Sequence, residues 1–341
     1  MRDFGRFIGH PLSAEPDGGS SGIIFRISQS AIKSLTIMDR RRFLKHGAAT
    51  LSAGFVASAL PLSLVAETLP AGLFTPIRRG TGRFESRGGT IGWLINDDVL
   101  VVVDSQFPES ATACRDGLGE RSGRSVDLLI NSHHHGDHTG GNGVLGADAE
   151  IVAHENVPML QRMQAEQRGS LDAQTYANTT FAESWSQEVG DETVRLHHFG
   201  PAHTAGDAII HFEKADVVHM GDLVFNYRPA YIDLGAGADT ANWMAVLERA
   251  HDLFGDNTVF IFGHGNPANG VLGRREDVLV MRDYLGALRD AAAAGINAGK
   301  SAEETAATGL EGFESHMVGG SADGIKGNIA TVYEEMTTVK E

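Results

Sequence analysis

A single cysteine, Cys114, stands in 341 residues, so no disulfide can form within the chain and oxidative cross-linking adds nothing to its stability. No reactive-thiol signature surrounds it, and it reads as a small buried hydrophobe. Positive charge is also scarce. Lys and Arg number 28 against 44 Asp and Glu, a formal net charge of −16, and without residues 1–66 the balance becomes 20 against 40. Such a surface repels phosphate, which excludes nucleic acid as a partner unless a bound cation reverses the sign locally. The chain has no G-x-S-x-G elbow, no P-loop, no internal repeat and no low-complexity tract beyond its N-terminal region. A serine nucleophile and a Gly-cradled nucleotide therefore lose their usual carriers.

What is present is a folding composition, 42% hydrophobic and 21% charged, close to soluble globular averages and long enough for a sizeable core. Residues 38–66 follow the pattern of a targeting segment: Asp39-Arg40-Arg41-Arg42-Phe43-Leu44-Lys45, then a small-residue apolar stretch from Gly47 to Val65. Arg40-Arg41-x-Phe43-Leu44-Lys45 resembles the twin-arginine export signal, which a receptor reads. A transmembrane helix is the competing reading, but Gly, Ser, Thr and Ala dilute the stretch and Pro61 interrupts it, so no stable membrane span is expected in the mature form. The expected location is the periplasm or another exported compartment, with the twin-arginine machinery as a partner. Residues 1–37 precede this signal without clear periodicity, and Met38 is the expected start, with 1–37 a non-native extension. Cleavage is expected near Ala66.

Beyond residue 76 short β-branched runs alternate with loops. Strands are expected at Thr90–Asn96 and Val99–Ser105, paired as a hairpin across Asp97-Asp98, and at Val126–Ser132, Glu150–His154, Thr193–Phe199, Asp207–Phe212, Val217–Gly221 and Thr258–Gly263. Helices are expected at Glu109–Leu118, Val157–Gln167, Asn242–Leu253, Glu276–Ala294 and Ser301–Thr308, the last opened by a Ser301/Glu304 capping box. Strands in groups with helices between the groups point to two sheets sandwiched by outer helices, an α/β architecture in one domain over 76–341.

Fifteen histidines are present, and the densest cluster is Asn131-Ser132-His133-His134-His135-Gly136-Asp137-His138-Thr139-Gly140-Gly141, a small-residue loop after a strand. Imidazoles converging on such a loop suit a borderline-soft divalent ion, since neutral nitrogens bind zinc at about 2.0–2.1 Å without mutual charge repulsion. Three further strand ends carry ligand-type residues: His203 in Gly200–Asp207, Asp222 in His219–Phe225, and His264 in Ile261–Gly265. The Gly-rich stretch Gly140–Gly146 reads as the mouth of the site.

Together these residues resemble the metallo-β-lactamase superfamily. Its H-x-H-x-D-H signature is matched by His133, His135, Asp137 and His138, and the resemblance runs on in order through His203, Asp222 and His264. It implies an αββα sandwich of two mixed sheets flanked by helices, with two zinc ions at one edge. His133, His135 and His203 would hold the first, Asp137, His138 and His264 the second, and Asp222 would bridge them. His134 would point away, as a supporting or solvent residue, and His154, after a strand, reads as a helix-entry residue or a supporting one rather than a ligand. No chemistry is assigned to His197, His198, His211, His219 or His251.

The implied reaction is hydrolysis of an ester, thioester, lactone or amide bond of a small molecule, β-lactams included, by a hydroxide shared between the ions, with Asp137 orienting it and moving a proton. Asp222 matches the thioesterases of the superfamily, whereas its zinc β-lactamases usually carry Cys or Ser there. Asn226, Tyr227, Arg228 and Tyr231 follow Asp222 and are the candidate substrate residues, Arg228 as partner of a substrate carboxylate. Two other readings remain: a mononuclear iron dioxygenase acting on persulfides, and a binding module without catalysis.

Overall fold

The computed structural model describes residues 73–317 and 322–338. The expected extension (1–37) and targeting segment (38–66) lie outside the described residues. In chain order the first half holds β1 (Phe74–Pro76), β2 (Thr81–Phe84), β3 (Ile91–Ile95), β4 (Leu100–Val103), α1 (Pro108–Ser122), β5 (Leu128–Ile130), α2 (Gly136–Thr139), α3 (Asn142–Leu145), β6 (Glu150–His154), α4 (Asn156–Arg168) and β7 (Thr179–Phe181). The second half holds β8 (Ser184–Val189), β9 (Glu192–His197), β10 (Ile209–Phe212), β11 (Val217–His219), β12 (Phe225–Asn226), α5 (Thr240–Leu253), β13 (Val259–Ile261), β14 (His264–Gly265), β15 (Leu272–Gly273), α6 (Arg275–Asn297), α7 (Ala302–Ala306) and α8 (Ala322–Thr337).

β1 to β7 form one sheet in chain order, and the second runs β15-β13-β11-β10-β9-β8, with β12 and β14 paired beside it. Both sheets are mixed: β4 to β7 pair in parallel and β1 to β4 antiparallel, while β11 pairs parallel to β13 among antiparallel neighbours. Side chains alternate across each strand, which explains why runs such as Leu100-Val101-Val102-Val103 are apolar throughout. Val101 and Val103 enter the core between the sheets with Ile130, Val194, Phe212 and Ile261. Leu100 and Val102 face the opposite way, into a second core with Cys114 and Leu118 of α1. The outer face of the second sheet, Val218 and Phe260 among it, packs against Trp243 of α5, Leu285 of α6 and Ile329 of α8. The layers are therefore helix, sheet, sheet, helix, the expected sandwich.

The β3–β4 hairpin forms as expected, its turn closed by the Asn96 side chain, which accepts from the backbone N–H of Asp98 and Val99. The Ser301/Glu304 capping box is present at α7. β1, β2, β7, β8 and α8 were not among the expected elements. β1 ends on Pro76, β2 contains Gly82 and β8 shows polar, mostly exposed residues, so none carries the apolar signal of a central strand. Gly324 and Gly327 weaken the helical signal of α8.

The topology places the site. The C-terminal ends of β4 and β5 share one edge because those strands are parallel, as do those of β11 and β13; β9, two antiparallel steps from β11, ends on the same side as β11. The loops leaving these ends carry Asp104, His133–His138, His203, Asp222 and His264.

Candidate metal centre

At this edge the donor atoms gather into two sets. His133 Nε2 and His203 Nε2 each lie 3.0 Å from His135 Nδ1, and Asp222 Oδ2 lies 3.9 and 3.7 Å from the first two. In the second set His264 Nε2 lies 3.2 Å from Asp137 Oδ2 and 3.5 Å from His138 Nε2. Asp222 touches both, with Oδ1 3.0 Å from His138 Nε2 and Oδ2 3.3 Å from His264 Nε2. Seven side chains from four loops thus converge, and each set can hold a metal ion.

Partners on the far side of each ring orient it. Ser132 Oγ donates to Asp104 Oδ2, so it accepts from His133 Nδ1–H and leaves Nε2 as the free donor of that ring. His138 Nδ1–H donates to Asp104 Oδ2 at 2.7 Å, and His203 Nδ1–H to the Tyr231 carbonyl at 2.7 Å. His135 is reversed: its Nε2–H donates to Asp233 Oδ2 at 2.9 Å, which turns Nδ1 inward. This outer shell is what metal-binding imidazoles need to hold a tautomer. Asp104 and Asp233 were not foreseen. Asp104 had one signal, a carboxylate closing the apolar run of β4; it is fully buried, at the left-handed φ of 65°. Asp233 had none, because its role depends on a distant loop.

The donor chemistry fits divalent ions. Asp222 is buried, and its Oδ1 has no hydrogen-bond partner, the nearby His138 Nε2 being out of line for one. A carboxylate oxygen without a hydrogen bond in a buried site calls for a cation beside it, a place that His138 takes in part and a metal ion would take fully. Space is kept for it: a Cβ on Gly263 would stand 2.0 Å from Asp222 Oδ1. Gly221, at φ +51°, turns the chain so that Asp222 enters between the two sets.

Electrostatics separates the sets. Burial and the neighbouring imidazoles hold His133 well below the usual histidine range and push His203 down to about 3. Burial also disfavours charge on His138 and His264, but Asp222 outweighs it, helped by Asp104 and Asp137 at His138 and by Asp137 at His264. His138 is held well above its ordinary value and His264 rises to about 9. Burial opposes ionisation of Asp137 and Asp222 as well, yet these histidines win, drawing Asp137 to about 2 and Asp222 well below the carboxylate range.

A cavity of about 410 Å³ opens onto His135, Asp137, Asp222 and His264. Of the four candidate substrate residues, Arg228 and Tyr231 line it together with Phe107, Phe225, Gln164 and Arg168. Asn226 does not: it is buried and donates to the Gly270 carbonyl. Tyr227 turns its ring to His316. Gly140–Gly146 is not the mouth of the site either, since Gly141 packs against Ser105 and Ala111 and residues 142–145 form α3; Gly88 and Gly136 stand at the cavity instead. His134 is buried rather than turned to solvent, 4.4 Å from the His135 ring, its Nδ1 unpartnered. His154 precedes α4 as expected and stacks on His198.

An αββα sandwich whose strand ends gather two joined His/Asp sets is the architecture of a metal-dependent hydrolase. A family model, the metallo-beta-lactamase superfamily, matches residues 87–265, and the chain belongs to that superfamily. Among solved structures it is similar in fold to the stereoselective inverting sec-alkylsulfatase from Pseudomonas sp., with TM-score 0.61 and 15% identity over 78% of this chain. The chain spans about half of that protein, 50% of its length. It is also similar to a metallo-beta-lactamase from Pontibacter korlensis (TM-score 0.53, 16% identity, 62% of this chain and 98% of that one) and to one from Hirschia baltica (0.50, 16%, 62% and 96%).

Proposed function

We propose that this protein is a zinc-dependent hydrolase that cleaves an ester, thioester, lactone or amide bond of a small molecule. The observation that carries the reading is Asp222, a buried carboxylate with one oxygen unpaired, reaching both donor sets. His133, His135 and His203 would hold the first ion, Asp137, His138 and His264 the second, and Asp222 both. Two divalent ions held there supply an acidified water as nucleophile and polarise the bond under attack. Asp137, held in its ionised form and lining the cavity, would orient that water and take up a proton. Phe107, Phe225 and Tyr231 exclude bulk water from the substrate's body, and Arg228 holds a negative group on it. A mononuclear iron dioxygenase on this fold would use only the first set; the completeness of the second favours two metals.

Metal titration tests this. Wild type is expected to take up two zinc ions, and Asp222→Ala to keep one tight site while the second weakens, with activity recovering as added zinc fills it. Three neutral donors suffice for the first ion, whereas the second set loses the anion that offsets repulsion between two dications. One ion per chain in excess zinc, or iron with colour, would contradict the two-zinc reading.

A further inference from the structure

Among the described residues, every arginine but two has its guanidinium against a carboxylate, a carbonyl or an aromatic ring. In a chain of net charge −16 this is the expected fate of a cation. The exceptions, Arg168 and Arg228, come from distant elements, the end of α4 and the loop after β12, yet both line the cavity over the metal centre. Arg168 lies against the histidine loop: a Cβ on Gly136 would be 3.8 Å from its Nη1. Gln164, one turn earlier on α4, shares that wall. Arg228 is half-buried and also borders a smaller pocket of about 150 Å³ beside His264. Phe107, Phe225 and Tyr231 give the same cavity an apolar lining, and its two carboxylates, Asp137 and Asp222, stand against His138 and His264 and pair with neither guanidinium. Arg168 is exposed and Arg228 half-buried, and two unpaired guanidiniums lining one cavity are directional receptors for a carboxylate, sulfate or phosphate group.

We infer that Arg168 and Arg228 form an anion clamp, and that the substrate carries a permanent negative charge away from the scissile bond on a body that packs against the aromatic wall. This rests on the hydrolase reading for its turnover test, and the anion preference is a property of the two arginines alone. Arg168, absent from the substrate residues read from the sequence, is then a specificity-determining residue.

The test compares two esters of equal size that differ in charge, 4-acetoxybenzoate and 4-acetoxybenzamide, with the zinc-loaded full chain. Wild type is expected to favour the anionic ester by tenfold or more in kcat/KM, the range of a charge-assisted hydrogen bond. The preference should shrink with added salt. Arg168→Gln and Arg228→Gln should each reduce the ratio through KM, and the double variant should bring it near one, while Arg→Lys at either position restores part of it. Equal use of the two esters by wild type, or a ratio untouched in the double variant, overturns the clamp. If neither ester is cleaved, the ester-hydrolase reading is what fails, and calorimetric binding of 4-hydroxybenzoate against 4-hydroxybenzamide decides the clamp. Tighter binding of the benzoate that is lost in the double variant supports it, and binding that survives there is metal ligation alone and overturns it.

Discussion

Each imidazole of the first donor set is committed to one ring nitrogen by the group bound to the other, and the same holds for His138 against Asp104. In the metal-free chain the carboxylate neighbours of His138 and His264 favour the charged form of each ring. Metal binding needs them neutral, so zinc uptake at pH 7 should release roughly two protons. Calorimetry in buffers of different ionisation enthalpy measures this. The sign for stability follows from the same shifts. His264 is raised from 6.5 to about 9, so its contribution to the metal-free fold is complete below 6.5 and lost as pH rises through about 9. Asp137 is lowered from 3.8 to about 2, so its share is complete above 3.8 and lost as pH falls through about 2. Asp137→Asn keeps the size and loses the charge; with both metals bound, its turnover should fall by about 10²–10⁴, the usual range for a general acid–base group. Steady-state kinetics beside a metal assay checks it, and wild-type turnover would remove Asp137 from the mechanism.

At the scale of elements, α8 braces the loop that carries Arg228 and Tyr231. Asn328 accepts from Tyr284 Oη–H of α6 at 2.7 Å and donates to the Ala230 carbonyl at 2.8 Å, one residue before the carbonyl that orients His203. Pro229 packs on Gly324 of the same helix. Asn328→Leu would leave a buried hydroxyl and a buried carbonyl unpartnered, at a cost of about 2–4 kcal/mol. The loosened loop should also weaken zinc at the first site by about tenfold. Thermal unfolding and zinc competition check the two effects, and Tyr284→Phe, which leaves the Asn328–Ala230 bond intact, should show the smaller loss of affinity. None of this was legible beforehand, since two glycines weaken the helical signal of α8 and a hydrogen bond across 98 residues leaves no local trace.

For the whole molecule, export is the proposal carried by Arg40-Arg41. Changing both to Lys should hold the enzyme, folded and active, in the cytoplasm, because a twin-arginine pair acts as an address that a receptor reads. Cell fractionation checks this; unchanged periplasmic activity would falsify the targeting reading. The sandwich and the seven metal-type residues could be read without coordinates because short, continuous apolar runs bounded by loops define strands buried on both faces, and ligand residues at strand ends need only the loop chemistry around them. The edge strands escaped notice because half their surface faces water and their composition follows the solvent. Asp233, the burial of His134 and the cavity shared by Arg168 and Arg228 were decided by tertiary structure alone, and the role of Asp104, whose sequence signal was only its place at the end of β4, was decided there too. Each is a meeting of groups far apart in the chain, and which of them meet depends on how the two sheets and their loops close on one another. The sequence determined which residues could bind a metal; the fold decided which partners turn each ring toward it and which charges stand at the entrance.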